Sequence, residues 1–177
     1  MDTISDINDD FMDEGTIYVL DSTVFLEKYS DGFSDKACVT VYEVSEEIKD
    51  PYAKIQFDML VQSGLSILSP KDEFVKVVTD KLNESGDKLS GTDISVIALA
   101  LEFSKKGKKV LIVTDDYGIQ NTSKSLGLKF MAMSQKGISR ILKWRRKCTA
   151  CGADTDKEIC DICGSETKFV SSPRKKR

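Results

Sequence analysis

Histidine is absent from the 177-residue chain. Its absence removes imidazole general bases, histidine-containing triads and histidine metal ligands together. Carboxylates and cysteines are left for any acid–base or metal chemistry. No apolar run approaches the roughly 18 residues needed to span a bilayer, and no signal-peptide pattern opens the chain, so the sequence reads as soluble and cytoplasmic. No internal repeat is present. Bases are missing from residues 1–15, which hold six acids (Asp2, Asp6, Asp9, Asp10, Asp13 and Glu14) with little periodicity. That stretch reads as a mobile acidic leader.

What is present suits one domain of ordinary size plus a small accessory module, with 40% hydrophobic residues to build a core. The net charge of −3 conceals an asymmetry. Residues 136–177 carry 12 basic and 5 acidic side chains, whereas the remaining 135 residues carry 14 basic and 24 acidic. An acidic body with a basic C-terminal arm points to a polyanionic partner.

Apolar runs alternate with helical patterns along residues 16–134. Ile17-Tyr-Val-Leu20, Ala37-Cys-Val-Thr-Val41, Leu65-Ser-Ile-Leu68, Val110-Leu-Ile-Val113 and Leu128–Met133 read as strands. Helices are expected after Asp21, from Tyr42, from Pro51, over about 71–84, from the capping signature Ser90-Gly-Thr-Asp93, and over 119–126. Residues 29–36 read as a loop. Repeated alternation of this kind gives an α/β domain with a mainly parallel sheet. A further helix, capped by Ser134 and carrying Trp144, is expected over 135–147. Residues 170–177 read as a disordered basic tail.

Acids recur where strands end and helices begin. Asp21 follows the first strand, Asp115 and Asp116 follow Val110–Thr114, and Glu43 and Asp93 open helices. In a parallel sheet these positions share one edge, where ligands collect. Each has an ordinary explanation alone: a helix cap for the Asp pair, a capping-box acid for Asp93, a first-turn glutamate for Glu43. Glu46 and Glu47 read as exposed face residues. Together, like charges at one edge require neutralisation, and an all-oxygen site suits Mg²⁺ or Mn²⁺. Such a site can activate water for phosphodiester cleavage.

The order Asp21, Glu43, Thr92-Asp93, Thr114-Asp115-Asp116 resembles the PIN-domain nuclease family. The resemblance implies a three-layer α/β/α domain that binds divalent metal and cuts single-stranded RNA hydrolytically. Asp21, Glu43, Asp93 and Asp116 would be the catalytic acids, with Asp115 as a helping neighbour, and Asp21, Asp93 and Asp116 would hold the metal. Thr92 and Thr114 would orient these acids from behind.

Cys148-Thr-Ala-Cys151-Gly and Cys160-Asp-Ile-Cys163-Gly form two knuckles separated by eight residues. Four thiolates at this spacing fit a closed structural Zn²⁺ site, with a redox dithiol pair or an iron centre as alternatives. Cys38 reads as a buried apolar residue. Lys143, Trp144, Arg145, Arg146 and Lys147 beside the knuckles are candidate RNA contacts, and Trp144 or Phe169 could stack on bases. For Trp144 a core position on a helix face remains the competing reading.

A PIN-like domain over 16–134, a basic connecting helix over 135–147 and a Cys₄ zinc ribbon over 148–169 resemble the NIN-one-binding family of ribosome-biogenesis nucleases in their short archaeal form. The phrase Thr114-Asp-Asp-Tyr-Gly-Ile-Gln-Asn121 is similar to that family's last motif. The resemblance implies maturation of the 3′ end of small-subunit rRNA within a pre-small-subunit particle. Two alternatives stay open: a non-catalytic RNA-binding assembly factor, which would lack one of the acids, and a toxin-type PIN ribonuclease, normally shorter and without a ribbon.

Overall fold

The computed structural model describes residues 15–134 and 142–173. Five strands, β1 (Thr16–Leu20), β2 (Cys38–Val41), β3 (Ser66–Leu68), β4 (Lys109–Val113) and β5 (Lys129–Met131), form a sheet in the order β3-β2-β1-β4-β5. Every pairing is parallel. The chain builds outward from β1 in one direction, then returns to β1's other side with β4. The strand order therefore reverses between β1 and β4, the position at the carboxyl edge where open sheets of this kind bind ligands.

Helices α1 (Ser22–Leu26), α2 (Tyr42–Glu47), α3 (Pro51–Gln62), α4 (Asp72–Ser85), α5 (Gly91–Lys105) and α6 (Tyr117–Ser125) connect the strands, with a 3₁₀ turn at Ser30–Phe33 inside the expected loop. The α/β expectation holds, and β1, β2 and β4 are buried runs of Val, Leu and Ile, as strands covered on both faces must be. One helix departs from the pattern read in the sequence. The i, i+3, i+4, i+7 spacing of Ile94, Ile97, Ala98 and Leu101 predicts a single apolar stripe on α5, yet every residue from Ser95 to Glu102 is buried. This helix packs against α4, α6, α2, β1, β2 and β4, so it is apolar nearly all round.

The larger correction concerns the connecting helix. Leu142–Cys148 is a strand, β6, paired antiparallel with β8 (Thr167–Pro173) from Leu142↔Pro173 to Cys148↔Thr167, and with the short β7 (Asp154–Thr155). Lys, Arg and Leu are good helix formers, but intrinsic propensity is a weak prior and two flanking strands override it. Residues 135–141 lie outside the described residues, as do the acidic leader up to residue 14 and the tail from 174. Residues 170–173, read as tail, belong to β8. The ribbon sheet thus occupies 142–173, wider than the 148–169 expected.

Candidate active site and zinc centre

Asp21 leaves β1 at the reversal point and is only 2% exposed. Both oxygens are engaged. Oδ1 accepts from the Ser22 amide at 2.7 Å, and Oδ2 accepts from the hydroxyls of Thr23 at 2.9 Å and Thr114 at 2.8 Å. Register explains the Thr114 contact: Leu20 pairs with Val113, so the next residues of both strands emerge side by side. Thr114 Oγ1 also accepts from the Asp116 amide at 3.0 Å, and Thr23 Oγ1 from the Asp115 amide at 3.2 Å. Two threonine hydroxyls therefore tie the end of β1 to the end of β4. The expected orienting role suits Thr114. Thr23 was not singled out, although its place two residues after Asp21 was the available signal.

Adjacent Asp115 and Asp116 separate completely. Asp116 caps α6, with Oδ1 accepting from the amides of Gly118 at 2.6 Å and Ile119 at 2.9 Å. Asp115 turns toward the exit of β5, where Oδ1 accepts from the Met133 amide at 2.7 Å and Oδ2 from the Ser134 hydroxyl at 2.5 Å. Its work here is to fasten the chain after β5.

Asp93 does form the capping box that was its ordinary explanation: its Oδ2 accepts from the Ser90 amide at 2.8 Å, and its own amide donates to Ser90 Oγ at 3.2 Å. The same carboxylate also joins the acid edge electrostatically. Burial raises the pKa of Asp93 above the ordinary carboxylate range, Ser90 opposes that, and the charges of Asp116 and Glu47 raise it further. Asp21 is likewise raised, first by burial, with the Thr114, Thr23 and Ser22 hydrogen bonds opposing and Asp93 adding. Glu43, in the first turn of α2, accepts from the Ser95 hydroxyl of α5 at 2.9 Å. Ser95 was missed in the sequence, whereas Glu47 is exposed, as expected, and still adds its charge at Asp93. Ser95 stands two residues after Asp93, and Glu47 one helical turn after Glu43, on the same face of α2. Thr92 is buried beside Asp93, but the hydroxyls seen orienting this corner are those of Ser90 and Ser95.

The charges that shape Asp21 and Asp93 are all acidic, and burial already disfavours both ionised forms. An external cation would relieve this crowding of charge, and all-oxygen donors match a hard divalent ion. The acids nevertheless stand further apart than the cysteines. Among the described residues, only Cys148, Cys151, Cys160 and Cys163 bring three or more ligand atoms mutually within 4.8 Å.

In that second site the Sγ atoms of Cys148 and Cys163 lie 3.3 Å apart and those of Cys151 and Cys160 3.7 Å apart. Four sulfurs around Zn²⁺ at about 2.3 Å would be separated by about 3.8 Å. Gly152 and Gly164 follow the second cysteine of each knuckle at φ +73° and +71°, a conformation that glycine adopts freely. Donors support the thiolates: the Cys151 amide lowers Cys148, and the Ser165 hydroxyl and amide bring Cys163 to about 6. The Ala153 amide lowers Cys151, but hydrogen bonding with the Cys148 and Cys163 sulfurs outweighs it and pushes that thiol up to about 12. Cys38 is buried in β2, as expected, and burial pushes its thiol up to about 12.

Comparison with known proteins agrees with this architecture. Residues 18–103 match the family model described as the PIN domain of ribonuclease. The chain is 43% identical over 155 residues to Endoribonuclease Nob1 of Methanothermobacter thermautotrophicus, covering 83% of this chain and 88% of that protein. It is 38% identical over 152 residues to Endoribonuclease Nob1 of Archaeoglobus fulgidus, covering 85% and 88%. The chain belongs to the Nob1 endoribonuclease family. Ribonuclease VapC1 of Thermoplasma acidophilum is 33% identical over 165 residues, covering 91% of this chain and 81% of that one. The Nob1-family match extends well past the PIN segment, as the Cys-rich C-terminal sheet leads one to expect.

The strand at 142–148 redistributes the expected RNA contacts. Side chains alternate across a strand, so Arg145 and Lys147 share one face with Lys168, and Arg146 shares the other with Phe169. Arg145 pairs with Asp154 at 3.1 Å. Arg146 pairs with Glu158 at 3.3 Å and lies over the Phe169 ring, 4.3 Å from its centroid. Lys147 and Lys168 face each other directly across the β6–β8 ladder. Like charges so placed oppose the pairing unless an anion intervenes.

Proposed function

We propose that this member of the Nob1 family is a divalent-metal-dependent endoribonuclease that matures the 3′ end of small-subunit rRNA. Its RNA-cleaving class follows from the family. Its substrate is inferred from the resemblance in residues 16–170 and from the PIN-plus-ribbon architecture. The observation that supports the site is Asp21 at the strand-order reversal, raised by burial and by the charge of Asp93, with Asp93 raised in turn by burial and by the charges of Asp116 and Glu47.

Asp21, Asp93 and Asp116 are the residues that would hold Mg²⁺ or Mn²⁺. A divalent ion there supplies charge neutralisation and a water of lowered pKa for attack on a phosphodiester. Thr23 and Thr114 fix Asp21, and Ser95 fixes Glu43, so the carboxylates are arranged before substrate arrives. Asp115 lies outside this metal set, because its carboxylate turns away to the exit of β5, where it holds Met133 and Ser134. Zn²⁺ on the four cysteines orders the ribbon. Lys147 and Lys168 then present positive charge to RNA, and the substrate is read within a precursor particle in the cytoplasm. Among the described residues no helix is long and apolar enough to cross a membrane.

The test is cleavage of a short RNA spanning the mature 3′ end of small-subunit rRNA, with Mn²⁺ or Mg²⁺, beside Asp21→Asn and a chelator control. Site-specific cutting lost in both controls is the expected result. Binding without cutting in any divalent metal, on RNA and on precursor particles alike, would establish the non-catalytic assembly-factor reading instead.

A further inference from the structure

Residues 86–90, between α4 and α5, touch three parts of the molecule. Asp87 is buried, and its Oδ2 accepts from Asn121 Nδ2 at 2.7 Å, fastening the loop to α6. Leu89 lies against Gly118, where an added Cβ would stand 2.6 Å from Leu89 Cδ2. The Gly118 amide is one of the two held by Asp116. Ser90 closes the capping box with Asp93. The loop is thus bolted to the carboxylate edge on either side of Lys88.

Lys88 itself is exposed, and its Nζ stands 5.2 Å from the centroid of the Phe169 ring in β8. It is therefore located where the ribbon meets the acid edge. Among the described residues no carboxylate pairs with Lys88, whereas its neighbour on the same ring, Arg146, is held by Glu158 and by the Thr167 hydroxyl. A ring contact steadies the ammonium without consuming its three N–H donors. A polyanion approaching Asp21, Asp93 and Asp116 meets like charge, and a fixed cation at the rim offsets that repulsion.

We propose that Lys88 contacts a backbone phosphate of the RNA strand where it crosses from the ribbon to the carboxylate edge. This rests on the nuclease reading above and gives it a substrate-binding residue outside both metal sites. Lys88 holds the strand in register over the acids, and the Phe169 ring holds Lys88.

The experiment measures binding of the same single-stranded RNA by fluorescence anisotropy across a salt series, using full-length, zinc-loaded protein without added Mg²⁺ or Mn²⁺. Wild type is compared with Lys88→Ala, Lys88→Arg and Phe169→Leu, after circular dichroism and zinc content confirm that each is folded. Lys88→Ala is expected to weaken binding and to lower the slope of log K against log salt by about 0.7, the value for one single-strand phosphate. Lys88→Arg and Phe169→Leu, which keep a cation at the junction, are expected to retain the wild-type slope. An unchanged slope in Lys88→Ala, or an equal loss of slope in Phe169→Leu, overturns the proposal and leaves Lys88 as a docking contact for the ribbon; weaker binding at the wild-type slope in Phe169→Leu is the expected result of loosening Lys88. Binding is read without cleavage, so failure of the wild type to cut counts against the nuclease reading alone.

Discussion

The two candidate metal-ligating regions are built on opposite principles. The four cysteines come from two short knuckles within 16 residues, and their sulfurs converge before any long-range packing is considered. The acids come from the ends of β1 and β4 and the starts of α2 and α5, separated by up to 95 positions, and they meet only because the strand order reverses beside β1. A closed sulfur cage orders the peptide around it. An open carboxylate edge rests instead on a core that folds without it and tolerates its repulsion. In the ribbon, structure would follow the metal; at the acid edge, a metal would follow the structure.

Zinc removal separates the two most strongly, because structural zinc in such modules is worth on the order of 10 kcal/mol. A thiol-competent chelator at neutral pH should expose four fast-reacting thiols, while Cys38, buried and pushed up to about 12, reacts only on global unfolding. Hydrogen exchange should show protection lost over 142–173 and kept in the parallel sheet. Five fast thiols would mean that the body depends on the ribbon and would break the contrast.

Asp21→Asn comes next, in the opposite sense. Cleavage should fall more than about a hundredfold, beyond what loss of an outer-shell partner costs. Metal-free melting temperature should rise, because a buried negative charge beside Asp93 is removed. A lower melting temperature would show that the threonine hydroxyls outweigh the repulsion. Ser95→Ala, which frees Glu43, should reduce cleavage about tenfold, with Ser95→Thr restoring part of it. Equal loss in both variants would mark Ser95 as a packing residue.

The smallest effect lies away from both sites. Glu102 is buried in α5, and the hydrogen bond from Lys106 at 2.6 Å lowers its pKa, helped by the Lys71 amide at 3.0 Å. A lowered carboxyl contributes stability that is complete above the ordinary glutamate value of about 4.3 and is lost as pH falls through the lower folded value. Glu102→Gln should therefore lower the melting temperature modestly at pH 7 and flatten the acid limb of the melting-temperature–pH curve, so that the two proteins converge at low pH. An unaltered acid limb would remove Glu102 from the titrations that matter there.

Periodicity and turn chemistry made most of the α/β body legible. The runs at 17–20, 38–41 and 110–113 are buried strands, and the Ser90–Asp93 signature starts α5 as its spacing requires. The 142–148 stretch misled because Lys, Arg and Leu favour a helix locally, while pairing with β7 and β8 is decided 7 to 31 residues further on. The acids were legible as a set, but not their individual orientations. Asp115 and Asp116 are adjacent and chemically identical, and only the position of β5 turns one toward Ser134 while α6 claims the other.

By itself, then, the sequence determined what depends on covalent spacing and local conformation. The cysteine knuckles and their glycines, the alternation of strands and helices, and the placing of acids at strand ends belong to that class. Tertiary structure alone decided which side chains share a hydrogen bond across the β1–β4 seam, that Ser95 meets Glu43, and that Lys88 stands beneath Phe169. Those contacts join residues from 52 to 93 positions apart. No local pattern specifies such a pair, because its geometry is set by strand order, register and the packing of whole helices.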